Sequence, residues 1–216
     1  LTPVGKLKPV KVGGVLVSKV SLHNEDEIFR KDIRIGDIVK IQRAGDVIPK
    51  VICVVIEKRV KGLKIYSPPK FCPSCNTMTV KPNDEAIRRC LSSTNCPAQT
   101  IEKLKHFVSK NAFNIDGLGE KIIEMLFKEG ILTDFADIFN ISKYKDELEK
   151  KEGFGKLSVS NLLNSIEKKK QITLDKLIYA LGIRQIGETN SKLLALHYNS
   201  FENFAIEMAK AKNKTS

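Results

Sequence analysis

The sequence predicts a multidomain α+β protein built from a small β-barrel, a module organised by four cysteines, and an all-helical domain. Three observations predict this. Short β-branched runs separated by glycine turns fill the first third, four of the five cysteines fall between residues 72 and 96, and apolar residues then recur at helical spacing. We place the boundaries of these three parts at residues 1–69, 70–97 and 98–216.

Charge is distributed unevenly along the chain. The formal net charge is +12; residues 1–70 contain 15 basic and 7 acidic residues, whereas residues 111–216 contain 16 and 15. A basic surface of this kind favours a polyanionic partner. The sequence contains no run of 18 apolar residues, so we expect no membrane partner.

The first part has the pattern of a β-barrel. Glycine turns separate the strands, and Asn24 followed by Glu27 predicts the capped start of a short helix. About five strands and one helix in some 70 residues fit a small closed barrel of the OB type. A basic OB face commonly binds nucleic acid, and an RNA-binding OB protein is one hypothesis. The predicted strands are Val15–Val20, Ile38–Ile41, Val47–Val55 and Leu63–Tyr66.

The segment Arg43–Pro49 is a candidate DNA contact. Gly45 allows a turn, and the guanidinium of Arg43 can bind a phosphate. Val47 and Ile48 have two interpretations: they begin the next strand and lie in the core, or they insert into a minor groove. Both interpretations remain open at this point.

The cysteine spacing predicts a structural zinc site. Cys72 and Cys75 are separated by two residues, and Cys90 and Cys96 by five, with fourteen residues between the pairs. Two such pairs supply the four thiolates of a tetrahedral Zn²⁺ site. The alternative is two disulfides, but we expect a reducing, intracellular environment. His106 is expected on the following helix, and Pro68-Pro69 marks the preceding boundary.

The helical part contains a degenerate repeat. A glycine–apolar–glycine turn between helices occurs at Gly117/Gly119 and again at Gly153/Gly155, and a weaker copy ends at Gly187. Glycine allows positive φ and lets a DNA backbone approach the amides at a helix start, which bind phosphate without reading sequence. The alternative is a tight helix–helix turn. Phe201–Lys210 is expected to begin a fourth unit that is truncated.

The order of these parts resembles the central and C-terminal region of bacterial NAD-dependent DNA ligases. The resemblance implies an OB domain, a four-cysteine zinc finger and a helix-hairpin-helix domain that together wrap nicked duplex DNA. It also implies that Arg43–Ile48 contacts the minor groove near the nick. The matching strings are Thr2-Pro3-Val4, Val12-Gly13-Gly14-Val15, Leu22-His23-Asn24, Arg43–Pro49, the four cysteines with Cys96-Pro97-Ala98-Gln99, Ile115–Gly119 and Leu181-Gly182-Ile183-Arg184.

The resemblance further implies that the chemical steps of ligation take place in a different domain. In the family, a separate N-terminal domain transfers AMP from NAD⁺ to a lysine and then to the 5′-phosphate of the nick, and the 3′-hydroxyl displaces AMP with the help of Mg²⁺. That lysine lies in a Lys-x-Asp-Gly motif, which the 216 residues do not contain. We therefore assign no catalytic residue and expect a fragment that does not ligate by itself. Gln185 replaces the first glycine of the third hairpin, which leaves phosphate binding there open.

The leading hypothesis is thus the DNA-binding part of a ligase acting in replication and repair. We expect a cytoplasmic, nucleoid-associated monomer that works beside an adenylylation domain. The alternative is a non-catalytic module that binds DNA structures in another repair or recombination protein.

Overall fold

A computed structural model describes residues 1–42, 49–92, 95–151 and 153–214. The chain divides into two compact units, Leu1–Cys96 and Pro97–Ser216. Within the described ranges, no helix combines the length and the apolar character needed to cross a membrane.

The first unit contains a four-stranded sheet that forms an OB-like half-barrel, with strand order β1-β2-β4-β3. β1 pairs antiparallel with β2, and β3 pairs antiparallel with β4, while β2 meets β4 in parallel through Ser21 and Lys50. Gly13 and Gly14 both have positive φ and form the β1–β2 turn. The strands are β1 Val4–Val12, β2 Val15–Ser21, β3 Val39–Gln42 and β4 Lys50–Val54.

Two details of the predicted barrel are wrong. Strand β1 begins at Val4, where lysines and Pro9 interrupt the apolar pattern, and the sequence pattern did not identify it. The predicted strand Leu63–Tyr66 is only an isolated bridge between Ile65 and Arg34. Ile65 is 67% exposed, so this segment does not have the burial of a strand, and Pro68-Pro69, which lack an N–H group, prevent a ladder from continuing beyond it. The described sheet is therefore open where a fifth strand was expected.

The predicted short helix is confirmed as α1, Glu25–Arg30. Asn24 caps it by accepting a hydrogen bond from the amide of Glu27 at 2.9 Å. Ile28 is buried and contributes to the unit's core with Val17, Val20 and Val51. The cap fixes where the helix begins, and the buried side chain of Ile28 determines which face lies inward.

The other described residues of the first unit have little regular structure. A 3₁₀ turn spans Ile56–Lys58. Two strands of two residues each, β5 Thr79–Val80 and β6 Arg89–Cys90, form a small antiparallel ribbon. This β5–β6 ribbon contains one of the four candidate metal ligands, Cys90.

The second unit is helical and has a continuous apolar core. The predicted apolar faces are confirmed, since Leu104, Phe107, Ile123 and Leu126 are all at least 96% buried. Phe107 stacks on Phe113 with ring centroids 4.1 Å apart. A 3₁₀ turn spans Ile141–Tyr144. The helices are α2 Pro97–Val108, α3 Glu120–Lys128, α4 Phe135–Asn140, α5 Lys145–Leu148, α6 Lys156–Lys168, α7 Leu174–Ala180, α8 Glu188–Tyr198 and α9 Phe201–Lys214.

Candidate metal centre and nucleic-acid interface

The four predicted cysteines come together in one cluster. Their sulfur atoms all lie within 4.8 Å of one another; Cys72 Sγ is 3.9 Å from Cys96 Sγ, and Cys75 Sγ is 3.4 Å from Cys90 Sγ. Four thiolates at about 2.3 Å from a tetrahedral zinc ion would lie about 3.8 Å apart. The cluster therefore fits Zn²⁺, and each of the four cysteines contributes one donor.

Local hydrogen bonds shape the first half of this cluster. The amide of Cys72 donates to the carbonyl of Thr77 at 2.8 Å, and the amide of Asn76 donates to the carbonyl of Cys72 at 2.9 Å. Asn76 has φ +57°, which completes the tight turn around Cys75. A hydrogen bond with the Thr77 side chain lowers the pKa of the Cys75 thiol to about 6. This turn directs the sulfur atoms of Cys72 and Cys75 to the same point.

The second half of the cluster is held by the β5–β6 ribbon, in which Cys90 pairs with Thr79. Burial raises the pKa of the Cys90 thiol to about 11. Cys72 and Cys96 are buried, whereas Cys75 and Cys90 are half-buried. Because thiolates are the ligand form, a bound cation would supply the charge that keeps all four sulfur atoms deprotonated.

His106 lies on α2, as predicted, and its Nε2 is 2.8 Å from the carbonyl oxygen of Tyr179. The two rings also contact each other, with centroids 4.8 Å apart. This contact gives His106 a structural role in the second unit.

The glycine turns of the helical unit share one backbone geometry. Gly117 and Gly153 have φ of +93° and +84°. Two residues later, Gly119 and Gly155 have extended backbones and form the N-caps of α3 and α6. In the third turn Gln185 takes the first position with φ +65°, and Gly187 caps α8. The third turn therefore has the geometry of the first two despite its different residue.

The N-cap glycines leave open space beside the backbone. A Cβ atom built on Gly119, Gly155 or Gly187 has no described protein atom within 4 Å. Their φ values, −69°, −82° and −88°, are open to any residue. Neither backbone strain nor packing in the described chain therefore requires glycine at these three positions.

The first position of these turns has positive φ in all three and is packed against α6 in the first turn. A Cβ atom on Gly117 would lie 3.4 Å from the Leu162 side chain, and the amide of Asp116 donates to Ser165 Oγ at 2.9 Å. These contacts hold the first turn against α6. In the third turn the carbonyl of Gln185 accepts a hydrogen bond from Asn190 Nδ2 at 3.1 Å.

The apolar residue inside the first two turns acts as an anchor. Leu118 and Phe154 are 3% and 7% exposed, so these two turns are held to the core by their side chains, whereas Ile186 in the third turn is half-buried. None of the three N-cap glycines supplies a side-chain cap, whereas Asn24 and Asp134 cap α1 and α4 with their own oxygens. The N-cap glycines therefore offer the first-turn amides of α3, α6 and α8 no side-chain acceptor, although in α3 the amide of Ile122 donates to the carbonyl of Gly119 at 3.0 Å.

The predicted contacts Arg43, Gly45, Val47 and Ile48 lie outside the described residues, so their two interpretations stay predictions. Sequence reasoning did not identify the left-handed backbone of Gln185. The signal was present in the repeat itself, because Gln185 occupies the position of Gly117 and Gly153.

Comparison with protein families gives three matches in chain order. Residues 1–63 match the NAD-dependent DNA ligase OB-fold domain, residues 71–98 match the NAD-dependent DNA ligase C4 zinc finger domain, and residues 176–212 match the helix-hairpin-helix motif. The second match covers all four clustered cysteines. It supports a structural zinc ion in this cluster.

Similar curated proteins extend these matches over most of the chain. A DNA ligase of Afipia carboxidovorans is 52% identical over 98% of this chain, and one of Rickettsia bellii is 49% identical over 96%. A DNA ligase of Xanthobacter autotrophicus is 49% identical over 94%. The chain spans about 30% of the length of these relatives. Two segments of the chain are thus similar to the OB-fold and C4 zinc finger domains of NAD-dependent DNA ligases, and a third is similar to the helix-hairpin-helix motif.

Proposed function

We propose that this chain is the DNA-binding region of an NAD-dependent DNA ligase, which holds nicked duplex DNA by its sugar–phosphate backbone. The observation that carries the proposal is the repeated turn geometry of the helical unit. Three helices begin at a glycine with open space in place of a side chain. The similarity to DNA ligases of several bacteria supports the same function.

The amides at these helix starts would bind phosphate oxygens. The amino end of a helix carries partial positive charge and several N–H groups without a helical acceptor. A missing Cβ atom lets a phosphate approach the main chain closely. The contact reads no bases, which suits a protein that acts on nicks in any sequence.

The third turn takes part in this binding as well. Its backbone follows the same course, since Gln185 adopts the left-handed conformation that glycine adopts in the other two turns. Gly187 has the same open space as Gly119 and Gly155. We therefore include Gly187 among the phosphate contacts.

The zinc ion would have a structural role. Cys72, Cys75, Cys90 and Cys96 would fill a tetrahedral coordination sphere and leave no position for a substrate or water. The free energy of zinc binding would stabilise the folded conformation of the surrounding loops.

The basic side chains of residues 1–70 would contribute electrostatic attraction to the DNA. Residues 1–70 hold most of the net positive charge. Arg43–Ile48 would contact the minor groove, with Arg43 at a phosphate and Val47 and Ile48 against sugars or base steps.

The complete enzyme would use NAD⁺ and Mg²⁺ through an adenylylation domain, to which this region presents the nick. Such an enzyme would act in the cytoplasm, on the nucleoid, and as a monomer. The alternative, a DNA-structure-binding module of another protein, has less support because two of the three family matches are specific to NAD-dependent ligases.

Binding to nicked and intact duplexes of the same sequence tests the proposal, with fluorescence anisotropy as the readout. A single-stranded RNA of equal length is the control. We expect duplex DNA to bind more tightly than RNA, a nick to strengthen binding, and an unrelated duplex sequence to bind equally well. Preference for RNA, or for one base sequence, would contradict the proposal.

A further inference from the structure

The zinc finger region has almost no hydrophobic core. Between residues 70 and 97, the buried residues in the described part of the chain are Cys72, Thr79 and Cys96. Its large apolar side chains face solvent; Phe71, Met78 and Leu91 are 54%, 64% and 65% exposed. A segment of this size is too small to be stabilised by apolar packing alone. A metal ion can stabilise it, provided that the ligands of the ion are held in place.

A buried ion pair supplies such support from outside the finger. Glu25, the first residue of α1, is 9% exposed at its side chain, and Arg88 is 22% exposed. Arg88 Nε donates to Glu25 Oε2 at 2.9 Å and Nη2 donates to Oε1 at 3.3 Å. This two-pronged geometry fixes both the distance and the orientation of the guanidinium.

The same guanidinium also contacts the β5–β6 ribbon, which contains the candidate zinc ligand Cys90. Arg88 Nη1 lies 3.4 Å from the carbonyl oxygen of Thr79 and 3.5 Å from its hydroxyl. Thr79 pairs with Cys90, and its hydroxyl donates to the carbonyl of Pro69 at 2.7 Å. Arg88 also directly precedes β6. The carboxylate of Glu25 is therefore connected to Cys90 by two routes, through the chain and through Thr79.

We infer that Glu25 is a positioning residue of the metal centre: through Arg88 it holds the β5–β6 ribbon where Cys90 meets the other three sulfur atoms. Zinc retention then depends on a residue of the OB domain, and the order of α1 depends in turn on zinc, because coupling between two sites is reciprocal. The inference rests on the proposed zinc site.

Glu25→Ala and Arg88→Ala test the inference, with the rate of zinc transfer from the folded chain to a colorimetric chelator as the readout. Loss of a partner that orients a metal ligand typically weakens metal binding by about tenfold or more. We expect each variant to release zinc about tenfold faster than the wild type. The double variant should release it less rapidly than two independent effects would predict, since Glu25 and Arg88 share a contact, while Glu25→Ala also removes the ion pair of Glu25 Oε1 with Lys81 Nζ at 3.6 Å.

Glu27→Ala is the matched control, because Glu27 lies on the same helix and its carboxylate pairs with Arg30 and Lys31 instead. Equal acceleration by Glu27→Ala, or unchanged release from Glu25→Ala, would overturn the inference.

If a variant fails to fold, hydrogen exchange of the wild-type chain with and without zinc tests the same coupling. Removing zinc should speed hydrogen exchange at Ile28 and its neighbours in α1, and protection that is independent of zinc would overturn the coupling. Metal analysis of the wild-type chain separates the two proposals. Absence of zinc there contradicts the zinc site itself, whereas bound zinc with unaffected variants contradicts only the role of Glu25.

Discussion

Glycine serves two separate purposes in the helical unit. At Gly117 and Gly153 the backbone has positive φ, and at Gly117 the Leu162 side chain is also close, so the backbone itself favours glycine there. At Gly119 and Gly155 the backbone is extended and the neighbouring space is open. Substitution at the second kind of position therefore separates DNA binding from stability.

Gly155→Asp should affect the two properties in opposite directions. An N-cap aspartate accepts hydrogen bonds from first-turn amides and should raise the free energy of unfolding by a few tenths of a kcal/mol, about 0.3. The same carboxylate would occupy the proposed phosphate position and repel it, so duplex affinity should fall by about tenfold. Thermal unfolding and anisotropy measure the two effects.

Gly155→Ser is the control for this substitution, since it supplies a neutral cap of small size. It should weaken DNA binding less than aspartate does. A stabilised Gly155→Asp variant with unchanged duplex affinity would contradict phosphate binding at this turn.

Asp37 contributes stability that depends on pH. Its side chain is 1% exposed; Arg59 Nε and Nη2 each donate to it at 2.8 Å, and the amide of Arg34 donates at 2.8 Å. The hydrogen bonds from Arg59 lower the pKa of Asp37 despite its burial. Because the folded pKa lies below the unfolded value, this stabilisation is present above about pH 4 and is lost as the pH falls through the folded pKa.

Asp37→Asn should therefore lower the free energy of unfolding of the first unit by about 2 kcal/mol at pH 7 and by less at pH 3. NMR-monitored urea unfolding at the two pH values measures the difference. Asp84→Asn, at an exposed position, is the control and should change little. An equal loss at both pH values would show that the charge of Asp37 is not responsible.

At the scale of elements, the finger and the helical unit differ in what stabilises them. The helical unit has a large apolar core, in which Leu126, Leu132, Ile138 and Leu148 are fully buried. The finger has the four-cysteine cluster and the contact with α1 instead. Loss of metal should therefore unfold one element and leave the other intact.

Cys90→Ser should reduce the bound zinc from about one equivalent to a small fraction and expose the β5–β6 ribbon to hydrogen exchange. Helix content of the second unit should stay unchanged by circular dichroism. Cys53→Ser is the matched control, because Cys53 lies on β4 outside the cluster. Full zinc retention by Cys90→Ser would refute the assignment of this ligand.

Local sequence signals predicted the elements that depend on local chemistry. Asn24 with Glu27 predicted α1, and the apolar spacing around Leu104 and Ile123 predicted the faces of α2 and α3. The strand expected at Leu63–Tyr66 was wrong because its apolar residues imply burial that the fold does not provide. Contacts such as Glu25 with Arg88 join residues 63 positions apart, and no local pattern indicates them.

At the scale of the whole molecule, charge and backbone amides are divided between the two units. Residues 1–70 carry 15 basic and 7 acidic residues, whereas residues 111–216 are nearly neutral. Side-chain cations that neutralise phosphates release counterions, and this makes affinity depend on salt. Neutral amides bind phosphate oxygens without contributing a full charge.

The salt dependence of duplex binding should therefore differ between the whole chain and its second unit. For the whole chain, we expect affinity to fall by at least about 100-fold between 50 and 200 mM salt, because the logarithm of affinity changes by about 0.9 per neutralised phosphate for each tenfold change in salt. Residues 97–216 alone have their own core and should bind more weakly, with a shallower slope. Anisotropy titrations at four salt concentrations give both slopes. Equal slopes would place the cationic contacts in the helical unit and contradict this division, because the first unit would then add no counterion release.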